Sequence, residues 1–168
     1  MSKKDAPAEP EQLTAQEQAD GIELGRELLG VMVLFTLELD EQFAKLDEVG
    51  HKFAEHFSGN QALQLETHRR VAEAKFSVAI HRKLSASYCW QLFEQVQQLG
   101  FTNLEKKARL IAILTRRCLT TNLEERALQF VADVAAELEA TLEVGPSLAY
   151  EERLGLCREL QALAQHKP

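Results

Sequence analysis

Glu48 and His51 stand in a Glu-x-x-His spacing, which places both groups on one face of a helix, as in di-iron and di-manganese bundles. If the chain turns back near position 59, His51 comes opposite Thr67 and His68, with Glu55 and Glu66 close by. Glu48, His51 and His68 are then candidate ligands for a borderline metal, zinc or iron. A di-metal bundle also asks for a second Glu-x-x-His and two further helix glutamates, and the sequence carries no second copy. The competing reading makes these groups the solvated rim of the turn, since charged side chains and histidines face water by default. That reading is favoured, and it involves no cofactor.

A second set is basic: Lys106, Lys107, Arg109, Arg116 and Arg117. At 100° per residue Lys106, Arg109, Arg116 and Arg117 fall within about a 100° arc and form a stripe. Nucleic acid or an acidic protein surface would accept such a stripe. A nucleic-acid domain usually shows an overall basic balance or a recognisable module, whereas this chain has net charge −7 and pI ≈ 5.3. The plainest reading of the stripe is a salt-bridging or solvated face; its functional reading is a protein partner or a second copy, with nucleic acid as the alternative. His81 falls on an apolar stripe, where a proton-linked or ligand role competes with a core or boundary histidine bonded to a backbone carbonyl. Cys89, Cys118 and Cys157 are odd in number and far apart, without CxxC spacing, and read as buried thiols of a reducing cytoplasm. Phosphate loops, Rossmann fingerprints, Gly-x-Ser-x-Gly and zincin motifs are missing from the sequence, so an enzyme is not expected.

The elements that would carry these groups are helical. Apolar residues Leu28, Met32, Phe35, Leu39, Phe43, Leu46, Val49, Phe53 and Phe57 recur in steps of three or four, which keeps them on one helix face. Val71, Ala74, Val78, Tyr88, Leu92, Val96 and Leu99 continue the pattern beyond the breaker Ser58-Gly59-Asn60. The expected fold is all-α, with about five helices. A long antiparallel, coiled-coil-like hairpin (about 14–57 and 61–99) packs with three shorter helices (about 103–119, 122–143 and 147–165). Residues 1–13 are expected to form a disordered tail, and 14–168 a single bundle domain. Capping boxes are read at Thr14/Glu17, Thr102/Glu105 and Thr121/Glu124. Gly100 and Gly145-Pro146 are expected to stop helices, and Gly50 or Ser85 to kink the arms.

The most apolar run, Leu28 to Leu37, is about half of what spans a bilayer and is expected at the buried centre of the bundle. The N-terminal MSKKDAPAEPEQ lacks the apolar core of a secretory signal, so a cytoplasmic location is expected. Residues 1–65 hold five Lys/Arg against thirteen Asp/Glu, residues 66–126 eleven against six, and residues 127–168 three against seven. An acidic first arm thus precedes a basic middle. Arms of ~60 Å would outreach later helices of ~25–35 Å and leave Phe35, Phe43 or Phe53 for a dimer or a partner helix. The functional expectation is a non-enzymatic interaction, adaptor or regulatory protein that acts through self-association or partner-helix binding. The alternative is a carboxylate/histidine metal-binding bundle.

Overall fold

The computed structural model describes residues 12–142 and 148–166, which form seven helices and no strand. They are α1 (Ala15–Met32), α2 (Leu39–His56), α3 (Gln61–His81), α4 (Ala86–Leu99), α5 (Leu104–Cys118), α6 (Glu124–Ala140) and α7 (Leu148–Ala164). The all-α expectation holds, but the count of five does not, because each long arm breaks in the middle. Among the described residues no helix is long and apolar enough to cross a membrane. Most of the expected tail, residues 1–11, and the expected stop at Gly145-Pro146 lie outside the described residues.

The first arm breaks at 33–38, where the sequence has neither Gly nor Pro. Side chains from elsewhere supply the hydrogen bonds that a continuing helix would have made. Gln42 Nε2 donates to the carbonyls of Val31 and Met32, both at 3.0 Å, and Arg82 donates to Leu37 O and, from Nε, to Gln42 Oε1 at 2.8 Å. Gln42 is fully buried, and this network satisfies it. In the second arm α3 ends with Lys83 in the left-handed region, φ 56°. Leu84 N bonds back to Ala79 O and Lys83 N to Ile80 O, a Schellman pattern with Lys where Gly is usual. Ser85 then caps α4, accepting from Tyr88 N at 3.2 Å, so the expected kink at Ser85 is a full break. Gly50 does not kink α2. It lets α3 approach, since a Cβ there would sit 2.8 Å from Val71 Cγ2.

The turn at Ser58-Gly59-Asn60 forms as read, with Gly59 at φ 91° and Asn60 capping α3 through Leu63 N. Gly100, φ 88°, ends α4 as read. One of the three capping boxes is present, at Thr14 and Glu17. At α5 Asn103 takes the cap, accepting from Lys106 N at 3.0 Å, because Thr102 is turned to Glu73. Glu73, fully buried, accepts from Thr102 N at 2.6 Å and from Lys106 Nζ at 2.8 Å, fastening α5 to α3. At the α5–α6 turn Thr121 Oγ1 donates to Cys118 O and accepts from Leu123 N, while Glu124 accepts from Thr120 N, so no capping box forms.

α3 is buried on two faces. Val71, Ala74 and Val78 join Leu24, Leu28, Leu46, Val49, Phe53 and Phe57 in a cluster with α1 and α2. Phe76, Ala79 and Ile80 join a larger cluster with α4 to α7. In that cluster Phe93 lies 5.9 Å from Phe76 and 5.2 Å from both Trp90 and Phe130, measured between ring centroids.

Candidate interaction surface

α1 turns Leu24 and Leu28 into the core. Its opposite side carries Ile22, Arg26, Leu29 and Val33 in steps of four, three and four, the spacing of a coiled-coil seam. Ile22 is 67% exposed, Leu29 59% and Val33 58%. Arg26 stays in water, paired with Glu23 at 3.1 Å. Leu34 and Phe35, in the turn that follows, extend the apolar strip, with Phe35 50% exposed.

Beside this ridge runs a groove between α1 and α3. The two helices are parallel: Asn60 reaches Glu17 at 3.4 Å, Arg70 Nη1 donates to Gly21 O at 2.8 Å, and Val78 and His81 stand with Met32 and Val33 at the far end. The groove is made of two hollows, about 340 Å³ and 260 Å³, that share Leu29 and Met32. Leu28, Ala74 and Val78 line its inner side, while Phe35 and Val33 form its rim. Its titratable groups are Arg70, Lys106 and His81, and it is lined by no Asp or Glu. Gly21 and Gly25, a GxxxG spacing, have a local use here, because a Cβ on Gly25 would stand 2.5 Å from Arg70 Nη2. The small residues let the guanidinium lie against α1. His81 is exposed and donates from Nδ1 to Ser77 O at 2.7 Å, in line with the boundary reading of that histidine.

Of the three phenylalanines expected at an interface, Phe35 is on the surface. Phe53 is 5% exposed inside the α1–α3 core, and Phe43 is half-buried between both clusters. The exposed-stripe expectation assumed a continuous first arm. The break at 33–38 folds α1 back over the stripe and covers Phe53. For the same reason the run Leu28–Leu37 is not the buried centre expected: Leu28 is buried, while Leu29, Val33, Leu34 and Phe35 face water. A step of seven from Ile22 to Leu29 was the available clue, and Arg70 had none, because its role depends on where α1 lies.

The basic stripe is largely used within the chain. Lys106 pairs with Glu73 and Arg116 with Glu159, and Arg117 donates to Ile80 O at the end of α3. Cations suit helix C-termini because unpaired carbonyls collect there. Lys107 pairs with Glu137 at 3.4 Å. Arg109 is exposed and makes no ion pair among the described residues. Glu48, His51 and His68 are all exposed and share no hydrogen bond, and among the described residues no three His, Cys, Asp or Glu side chains gather as metal ligands. The α2–α3 register explains this: Lys75 meets Asp47 at 2.7 Å and Gly50 meets Val71, so His51 is not set opposite His68.

All three cysteines are free and buried, and burial raises each thiol pKa, that of Cys118 to about 11. Near neutral pH they stay protonated, which suits packing and not nucleophilic chemistry. No protein-family model matches the chain, and neither a curated protein nor a solved structure matches it.

Proposed function

We propose that this protein is a non-enzymatic helical interaction module that binds a partner helix in the groove between α1 and α3. One observation carries the reading. Of the large apolar residues exposed in the described structure, all but Tyr88 fall at or before Leu65, and Leu29, Val33, Leu34 and Phe35 form one strip beside a groove. Contiguous apolar surface bordered by polar residues is the usual mark of an interaction site. At roughly 200 Å² for a fully exposed large apolar side chain, Ile22 and these four half-exposed residues present ~500 Å², a large part of the ~800 Å² that one side of a stable interface buries.

The test is binding of a Leu-seamed amphipathic helical peptide, read by fluorescence anisotropy, with sedimentation of the protein alone to separate a second copy from a different partner. Leu29→Asp and Phe35→Asp alter surface positions, so circular dichroism should be unchanged while each weakens binding by about tenfold or more. Wild-type protein that neither binds peptide nor self-associates at high micromolar concentration would overturn the proposal.

A further inference from the structure

Charge and helix geometry narrow the partner. In a chain of net charge −7, the groove between α1 and α3 is lined by Arg70, Lys106 and His81 and by no acid. Arg70 spends its hydrogen bond on a neutral carbonyl, Gly21 O, and makes no ion pair among the described residues, so its charge is not cancelled by contact. Lys106 is shared with buried Glu73 but keeps 43% of its side chain exposed. α1, α2 and α3 form an up-down-up set, and α1 and α3 run side by side in one direction. A helix laid between them in the opposite direction gives the up-down-up-down arrangement of a four-helix bundle.

We infer that the occupant is an acidic amphipathic helix from a different protein, running antiparallel to α1 and α3, with its carboxylates on the flank of its C-terminal half. This deepens the docking reading above and rests on it. The direction follows from position. Arg70 lies at the Gly21–Gly25 end of the groove and Lys106 beside Leu28 and Leu29, while the Phe35–His81 end is mostly apolar. An antiparallel helix brings its C-terminal half to the cations, where carboxylates and the negative end of its own dipole are both favoured. A second copy fits less well. Pairing α1 antiparallel with its own copy about Leu29 sets Arg70 against residues 33–37 of the other chain, which contain no acid. The groove is also an open trough walled by exposed Leu29, Val33 and Phe35, unlike the enclosed cavity that buries most of a small ligand.

The experiment uses three labelled helical peptides of about 18 residues with one shared Leu seam and flanks of Glu, Gln or Lys, titrated with the full chain at low and high salt. The expected order of affinity is Glu, then Gln, then Lys, with about tenfold or more between the extremes at low salt and a smaller gap at high salt. Arg70→Gln should reduce the preference for Glu. A nitroxide on the N-terminus of the Glu peptide should broaden NMR signals around Phe35 and His81, and one on its C-terminus those around Gly21 and Arg70. Equal affinity for the three peptides, or the opposite polarity, overturns the acidic antiparallel assignment while docking itself stands. Failure of all three overturns this assignment and, if the protein does not self-associate either, the docking reading too, and binding of dodecanoate without peptide binding reassigns the groove to an anionic amphiphile.

Discussion

On the face of α3 that carries Phe76, Ala79 and Ile80, four helices close over a core of twenty-two buried residues. On the face that carries Val71, Ala74 and Val78, α1 and α2 close over nine, among the described residues. Among the described residues the larger side leaves Tyr88 as its exposed large apolar residue, and the smaller side leaves seven, from Leu13 to Leu65. Polar straps also tie the smaller side: Gln42 and Arg82 across the α1–α2 turn, Arg70 to Gly21, Lys52 to Glu27 at 2.6 Å and His56 to Asp20 at 2.8 Å. An open helix layer can hold its shape through such bonds while part of its apolar face stays exposed.

The strongest way to break this contrast is to excavate each core. Phe93→Ala removes the hub of the aromatic cluster around Trp90 and should cost about 3–5 kcal/mol in urea unfolding followed by Trp90 fluorescence. Phe53→Ala should cost less, because the smaller cluster is open at its edge and α1 can settle inward. Equal losses would mean that the two sides are closed alike. Next in size, Glu73→Gln replaces a buried carboxylate that accepts from Thr102 and Lys106. A loss of about 2 kcal/mol is expected from the charged hydrogen bonds, and native-state hydrogen exchange should show the α5 N-terminus opening before α1 does.

Two glycines sharpen the comparison within the smaller side. Gly50→Ala places a methyl 2.8 Å from Val71 Cγ2, and the shift forced on α2 and α3 should outweigh the ~1 kcal/mol gain in helix propensity. Gly25→Ala meets the movable end of Arg70 at 2.5 Å and nothing rigid, so thermal unfolding should show a neutral or slightly stabilised protein. If Gly25→Ala proves the more damaging, Arg70 is held more firmly than its partners imply. The smallest effect concerns pH. The hydrogen bond from His56 holds the Asp20 carboxyl below its ordinary 3.8, so the carboxylate favours the folded state above that pH, and its contribution is lost as pH falls through the lowered value. Carboxyl-carbon NMR should find the Asp20 midpoint below 3.8, and His56→Ala should move it upward.

Helix content, the turn at Gly59, the stop at Gly100 and the cap at Thr14 were legible in the sequence, because backbone conformation and capping depend on neighbours within four residues. The breaks at 33–38 and 82–85 were less so. Ser85 gave a hint, but 33–38 holds neither Gly nor Pro to mark a stop, and the chain breaks there because Gln42 and Arg82 arrive from other helices to bind the freed carbonyls. Once the first arm broke, the fates of its residues separated: Phe53 went inside, Phe35 stayed out, and Leu29 and Val33 became a ridge. The basic residues of α5 show the same limit, since a charge on a helix face does not reveal which carboxylate or carbonyl will meet it. The sequence by itself determined which segments are helical and which of their faces are apolar. Which apolar face was buried and which was left exposed was decided by tertiary structure, because burial depends on how many helices are present to cover each side of α3.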